Sequence, residues 1–106
     1  MEKLFAYGTL KEKDIQENIF GRSLYGTPDR LIGFVINYIK IEEEFGIAQY
    51  PIIVATENPD DIVTGIVYEI SDQDLNLADT YEGLHYKRME VTLESNQKAW
   101  AYLVTN

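Results

Sequence analysis

The sequence has no cysteine, a single histidine and few basic residues. Without cysteine there is no disulfide, no thiolate nucleophile and no thiolate metal site. Because His85 is the one histidine, a His-rich metal site is not expected, and any Ser–His–Asp arrangement would have to include it. We therefore expect neither a metal nor a cofactor, and any catalysis should depend on other groups.

The shortage of basic residues gives a formal net charge of −9, from 18 acidic and 9 basic side chains. Sequence-independent nucleic-acid binding and docking on anionic membranes both need clusters of lysine and arginine. No apolar run approaches bilayer-spanning length, and the first residues lack the apolar region of a signal peptide. We expect a cytoplasmic protein that binds neither nucleic acid nor membranes, and its oligomeric state is left open.

The length of 106 residues suits one domain, residues 1–106, with a single hydrophobic core. Six or so apolar strands, two short helices and no regular βα alternation predict an α+β fold with a mainly antiparallel sheet. Strands this apolar in so small a chain would curl into a partial barrel, which reduces exposed sheet edges. The predicted class is a small mixed, mainly antiparallel β-barrel with short helices.

Local patterns predict the individual elements of this fold. Asp14 is the expected cap of a helix over 15–20, which Gly21 ends. Residues 30–41 are rich in β-branched and aromatic side chains and predict one long strand with a bend at Gly33. Further strands are expected at 50–55, 64–70, 86–93 and 98–104, the last two forming a hairpin.

The stretch 3–10 joins a strand to a glycine turn. The strand, residues 4–7, is apolar on both faces of its pleat, which predicts that it is covered on both sides. Gly8 allows close approach of a ligand, and successive free N–H groups over Gly8–Leu10 would form an anion cradle. An ordinary strand end with a glycine turn explains the same residues.

Glu82 is an acidic residue on the apolar side of a predicted helix. The helix has Ser71 as its N-cap and continues to about Tyr81 or Gly83. At roughly 100° per residue, Glu82 falls between Ala78 and Leu75. The other apolar members of this arc are Leu77, Tyr81 and Leu84. A carboxylate in this position must be paired, neutral or functional, and desolvation would raise its pKa toward neutrality.

Structural explanations of Glu82 remain open at this point. The helix could fray before it, or Glu82 could pair with Arg88 or Lys87. Arg88 follows Tyr86 by two residues, so both lie on one face of their strand. That face could offer a substrate a hydroxyl and a cation, or it could simply hold Glu82.

Two motifs resemble those of the γ-glutamylcyclotransferase-like family. The first is Tyr7-Gly8-Thr9-Leu10, and the second is Asp79-Thr80-Tyr81-Glu82-Gly83 followed by Tyr86-Lys87-Arg88. Their order, their separation and the chain length are similar to those of the small bacterial-type members. The likeness extends to the strand 65–70 and to the strand 99–104.

The resemblance implies a barrel-like α+β fold with a cavity at one end. The loop Tyr7–Leu10 would hold the glutamyl moiety of a small-molecule substrate, and Glu82 would be the catalytic acid/base. The implied reaction is attack of the substrate's own α-amine on its γ-carbonyl, which gives 5-oxoproline and a free amine. Tyr86 and Arg88 are further expected substrate contacts, Arg88 being the first candidate for the cation that an anionic substrate needs.

Two other functions fit the same residues. One is a non-catalytic module that binds a carboxylate or another small anion on this scaffold. The other is a structural or protein-interaction domain, which would expose a large apolar patch.

Overall fold

A computed structural model describes residues 1–104 as seven strands, two α-helices and two short 3₁₀ helices. The strands are β1 (Glu2–Ala6), β2 (Gly26–Ile32), β3 (Phe34–Glu43), β4 (Gly46–Ala55), β5 (Ile62–Ile70), β6 (Tyr86–Thr92) and β7 (Lys98–Val104). The α-helices are α1 (Lys13–Phe20) and α2 (Asp72–Glu82), and the 3₁₀ helices are Thr9–Lys11 and Gly83–His85.

Five of the strands form one mixed sheet in the order β2-β5-β1-β7-β6. Its central strand, β1, is parallel to β7, with Leu4 opposite Trp100, and the other pairs of the sheet are antiparallel. Strands β3 and β4 form a separate antiparallel ribbon. The predicted α+β class with a mainly antiparallel sheet is confirmed.

The main sheet is not closed, so the predicted barrel is a loose one. The edge strand β2 contacts the connection between β6 and β7, just beyond the end of β6. There the amide of Glu94 donates to the carbonyl of Arg30 (2.8 Å), and the two side chains form an ion pair at 2.7 Å. Side chains of Ser95 and Gln97 also donate to Asp29 of β2, so these few local contacts stand where a closed barrel would have a ladder of backbone hydrogen bonds.

Strand β1 is buried on both faces, as its sequence predicts. Phe5 belongs to a core cluster that includes Ile53 of the ribbon, while Leu4 belongs to a cluster that includes Leu75 of α2. Both β1 side chains are 1% exposed. The ribbon and the helices therefore cover opposite faces of the same strand, and the residues that follow β1 emerge where the two layers meet.

Two local predictions were wrong. Residues 30–41 do not form one strand, because Gly33 has a φ of +84° and turns the chain from the main sheet into the ribbon. Helix α1 has Glu12 rather than Asp14 as its N-cap, and no side chain caps it. The end of this helix is as predicted, since Gly21 lies in the left-handed region.

Helix α2 begins with a capping box, which confirms Ser71 as its N-cap. The Ser71 hydroxyl accepts from the amide of Asp74, and the Asp74 carboxylate accepts from the amide of Ser71. Arg22 also pairs with Asp74 at 2.7 Å, and this hydrogen bond holds the pKa of the carboxyl below its usual range. No helix among residues 1–104 is long and apolar enough to cross a membrane.

Replacing Ser71 with Ala should lower the free energy of unfolding by about 1 kcal/mol, because the first-turn amide of Asp74 loses its acceptor. Urea denaturation followed by circular dichroism measures the change. Ser71→Thr is the matched control, since it keeps the hydroxyl, and it should stay near the wild-type value. Equal losses in both variants would contradict a capping role.

Candidate active site

A cavity of about 280 Å³ opens where the turn after β1, the ribbon and the end of α2 meet. The residues after β1 form one side of it, β4 forms another, and α2 with β6 and β7 forms the rest. Its lining residues are Phe5, Ala6, Tyr7, Gly8, Thr9, Leu10, Tyr50, Pro51, Tyr81, Glu82, Tyr86 and Tyr102. The structure thus brings both sequence motifs to one cavity, although they lie some seventy residues apart in the chain.

Glu82 is the last residue of α2 and lies half-buried in the cavity wall. Leu75 and Ala78, which share its face of the helix, are 4% and 0% exposed, so this part of the predicted apolar arc is confirmed. Leu77, Tyr81 and Leu84 were wrongly assigned to it, with exposures of 42%, 40% and 94%. The buried stripe of α2 is narrower than its sequence suggests, and Glu82 lies on it.

The carboxyl of Glu82 has no hydrogen-bond or ion-pair partner among residues 1–104. The helix does not fray before it, and neither Arg88 nor Lys87 pairs with it, so the structural explanations fail. Burial raises the pKa of Glu82 from 4.5 to about 7. A carboxyl with such a pKa exchanges protons readily at neutral pH.

Residues 7–10 fold into a tight turn against the rest of the cavity. The buried Tyr7 hydroxyl donates to the carbonyl of Tyr102, which fixes the start of the turn. Hydroxyls of Thr9 and Tyr81 lie 2.7 Å apart in a hydrogen bond that joins the turn to α2. A Cβ added to Gly8 would lie 3.3 Å from the Pro51 ring, so the turn approaches β4 closely.

The main-chain amides of Gly8, Thr9 and Leu10 have no acceptor in the backbone of residues 1–104. Within the described chain, none of the turn, loop or cap hydrogen bonds between backbone groups has its donor at Gly8, Thr9 or Leu10. In a 3₁₀ helix each amide bonds to the carbonyl three residues earlier, so the first amides of the short helix that starts at Thr9 have no partner within it. Such amides can donate hydrogen bonds to the oxygen atoms of a ligand.

Five tyrosines give the cavity an aromatic wall with fixed hydroxyls. The Tyr86 hydroxyl donates to the carbonyl of Pro51 (2.8 Å), the Tyr102 hydroxyl donates to Asp79 (2.7 Å), and the Tyr50 hydroxyl donates to Glu43. Burial, followed by the charge of Glu82, raises the pKa of Tyr86 to about 12. The Tyr86 phenol therefore stays protonated at neutral pH.

Arg88 does not line the cavity, contrary to its prediction as a substrate contact. Its Nε lies 3.4 Å from Oδ1 of Asp79, and its guanidinium stacks over the Trp100 ring at 4.6 Å. Successive residues of a strand advance by about 3.3 Å, so a residue two positions after Tyr86 lies beyond the cavity edge. Among the described residues no lysine or arginine lines the cavity.

Sequence reasoning missed six lining residues: Phe5, Ala6, Tyr50, Pro51, Tyr81 and Tyr102. Tyr81 precedes Glu82 in the second motif, so it could have been found by proximity. Tyr50 and Pro51 have no such signal, because the ribbon reaches the cavity only through tertiary packing.

Comparisons with known proteins agree with this geometry. The family sequence profile described as gamma-glutamyl cyclotransferase, AIG2-like matches residues 4–106. No curated protein matches the sequence.

Several solved structures share the fold. One titled gamma-glutamyl cyclotransferase has a TM-score of 0.80 at 21% identity, with 99% of this chain and 67% of that chain covered. An uncharacterized Homo sapiens protein gives 0.80 at 22% identity, with 99% and 67% covered. A solution structure from Arabidopsis thaliana gives 0.72 at 27% identity, with 97% and 61% covered. These likenesses show a common fold.

The sequence profile covers nearly the whole chain, from the middle of β1 onward, and it includes both motifs that meet in the cavity. It also supports cyclotransferase-type activity in general terms. The chain belongs to the gamma-glutamyl cyclotransferase, AIG2-like family.

Proposed function

We propose that this protein is a cyclotransferase that acts on a γ-glutamyl amine or peptide. The substrate's α-amine attacks its own γ-carbonyl carbon, the amide bond to the leaving amine breaks, and the products are 5-oxoproline and the free amine. The observation that carries the proposal is an unpaired, half-buried Glu82 in the same cavity as the turn 7–10. Family membership supports it.

The reaction suits this site because the nucleophile belongs to the substrate. An α-ammonium must lose a proton before it attacks, and the leaving amine must gain one. Glu82 takes the first proton as a carboxylate and delivers it to the leaving nitrogen as the acid. With a pKa of about 7, both forms of this carboxyl are well populated at neutral pH.

The turn 7–10 positions the glutamyl end of the substrate. Its amides at Gly8, Thr9 and Leu10 have no backbone acceptor within the described part of the chain, and they supply donors for the α-carboxylate. Holding that carboxylate fixes the curled pose in which the amine faces the γ-carbonyl. Because the reacting atoms are then held close together, the activation barrier is lower. Tyr86, protonated at working pH, forms part of the wall beside Glu82 and limits the poses of the substrate.

The direct experiment is release of 5-oxoproline from a panel of γ-glutamyl amines and peptides, measured by chromatography. Release above the uncatalysed rate supports the proposal. Ligands that raise the melting temperature without any release would instead indicate a non-catalytic binding module. If no 5-oxoproline is released and no ligand changes the melting temperature, the cyclotransferase proposal is contradicted.

The pH dependence of kcat/KM should have an acid limb with an apparent pKa of about 7, because the free enzyme needs Glu82 as a carboxylate. Below that pH the rate should fall about tenfold per pH unit. Initial rates between about pH 5 and pH 8.5 in buffers of constant ionic strength measure it. An acid limb with an apparent pKa near the ordinary value for glutamate would contradict the claim that burial raises the pKa of Glu82.

A further inference from the structure

We infer that Gln16 of α1, which lies outside the cavity lining as the described residues define it, is a positioning residue for the proposed cyclisation. Its side chain holds the turn 7–10 in the form that presents free amides to the α-carboxylate. This inference rests on the proposed function, since it names a residue that acts on the substrate only through the turn. It predicts that replacing Gln16 weakens recognition of the α-carboxylate and leaves proton transfer by Glu82 in place.

Gln16 is a polar side chain in the protein interior. It is 2% exposed, and among residues 13–20 of α1 it alone is buried. Ile15 and Ile19 of the same helix pack against the core cluster that contains Leu10 and are only partly buried. A primary amide costs free energy in the interior unless its donor and its acceptor are both satisfied, whereas an apolar side chain does not. The role of Gln16 should therefore lie in the hydrogen bonds that it makes.

Both ends of the Gln16 amide are used. Its Nε2 donates to the carbonyl of Leu10 (2.8 Å), and its Oε1 accepts from the backbone amide of Leu24 (2.8 Å). A carbonyl can only accept and a backbone N–H can only donate, so these partners fix the orientation of the side-chain amide. Gln16 thus ties the last residue of the turn to the segment that leads from α1 into β2.

The Leu10 carbonyl belongs to the peptide unit that closes the turn. The same unit carries the amide of Lys11, which donates to the carbonyl of Gly8 at 3.2 Å. That distance is at the long end of the range for such hydrogen bonds. Because a peptide unit is planar, the Gln16 bond to its carbonyl also restrains the direction of its amide. Gln16 therefore supports the hydrogen bond that keeps the turn closed.

Closure of the turn sets the direction of its free amides. The peptide bonds of the described chain are trans, so each N–H points opposite to the carbonyl of the same unit. The carbonyl of Gly8 is held by Lys11, and the carbonyl of Thr9 is held by the amide of Glu12 at 2.9 Å. The amides that share those two units, of Thr9 and Leu10, point away from these bonds and remain available to a ligand oxygen. Loss of the side-chain bond to the turn would leave this arrangement free to open.

The test measures how much the α-carboxylate contributes to the reaction. It compares two amides of the same amine, one of the γ-carboxyl of glutamate and one of 4-aminobutyrate, which lacks only the α-carboxylate. Cyclisation gives 5-oxoproline from the first and 2-pyrrolidinone from the second, and the same amine leaves both. The readout is the ratio of the two kcat/KM values, measured by chromatography. Where the second compound reacts too slowly, the two lactams serve as competitive inhibitors, and the ratio of their inhibition constants is the readout.

The main variant is Gln16→Met, which keeps the length of the side chain and removes both hydrogen bonds. Because loosened amides hold a carboxylate less well, we expect kcat/KM for the glutamyl compound to fall about tenfold and that for the analogue to stay within about twofold of wild type. Gln16→Asn keeps an amide but is one methylene shorter, so it cannot span Leu10 and Leu24 together. It should give a smaller loss in the same direction, and it decides the test if the methionine variant does not fold.

Ser71→Ala is the control for a general loss of stability. It removes the cap at the start of α2, at the opposite end of that helix from Glu82. A destabilised enzyme loses both activities alike, so this variant should keep the wild-type ratio. Melting temperatures of all the variants show which of them are folded at the assay temperature.

The outcomes separate this inference from the function on which it rests. If the wild-type protein releases no 5-oxoproline, the cyclotransferase proposal is overturned and the role of Gln16 falls with it. If the wild type is active but the folded Gln16 variants keep its ratio, or lose both activities equally, only the positioning role is overturned. The same holds if Ser71→Ala changes the ratio as much as Gln16→Met does.

Discussion

Replacing Glu82 with Gln should lower kcat for 5-oxoproline release by about 10³-fold, because the amide can neither take nor deliver the proton. The side chains have the same shape, so the cavity and its other contacts should persist. The measurement is steady-state release from the best γ-glutamyl substrate at about pH 7.5. A variant that releases 5-oxoproline at the wild-type rate would show that Glu82 is not the catalyst.

The same substitution should stabilise the protein at alkaline pH. The pKa of Glu82 is raised from 4.5 in the unfolded chain to about 7 in the folded one. Between these values the folded state binds more protons than the unfolded state, so the stability from Glu82 is complete below about pH 4.5 and is lost as pH rises to about 7. Glutamine avoids that loss, and the variant should gain about 1–3 kcal/mol at pH 8.

A gain in stability with a loss of activity distinguishes catalysis from a structural role. If Glu82 held the fold together, the glutamine variant would lose both. Glu90→Gln is the control, because Glu90 lies on the exposed side of β6. It should leave both the rate and the pH dependence of stability near wild type.

The second large effect is expected at Gly65, in the middle of β5. A Cβ at this position would lie 2.6 Å from the carbonyl oxygen of Ala6 and 2.7 Å from the Phe5 ring. Because the first contact is with backbone, relief requires β1 to move, and Gly65→Ala should cost about 3 kcal/mol of unfolding free energy. Urea denaturation measures this loss.

Gly65→Ala should also reduce activity. Ala6 is the last residue of β1, so a shift of its carbonyl displaces the turn 7–10 that follows. The control combines Gly65→Ala with Phe5→Leu, which removes the ring contact and keeps the backbone contact. The double variant should be more stable than the sum of the single effects predicts. Strict additivity would show that the ring is not the obstacle.

The sequence predicts those parts of the structure that depend on neighbouring residues. Ser71 caps α2 through residues three positions away, Gly21 ends α1 by its own backbone freedom, and the phase of α2 places Glu82 on its buried face. Each of these signals acts over about one helical turn. The alternation of apolar side chains in β1 likewise predicts burial on both faces, as observed.

The parts that could not be predicted depend on distant packing. Gly33 lies between two strands that belong to different sheets. The same local sequence would also fit a bend within a single strand, so it does not distinguish the two structures. Tyr50 and Pro51 enter the cavity because the ribbon packs against the main sheet. Arg88 contacts Asp79 and Trp100 instead of the cavity. Neither residue lies at a helix or strand repeat from Arg88 in the sequence, so these contacts could not be predicted.

The position of Pro51 divides the ribbon into two parts with different tolerances to change. On one side of it, Ile52 and Ile53 are 7% and 2% exposed and belong to the interior, so their volume is constrained. On the other side, toward the tip of the ribbon, Ile47 and Phe45 are 67% and 95% exposed and contribute little to the interior. Mutation can therefore change the outer part of the ribbon at little cost in stability, while the wall that Tyr50 and Pro51 contribute to the cavity is left in place.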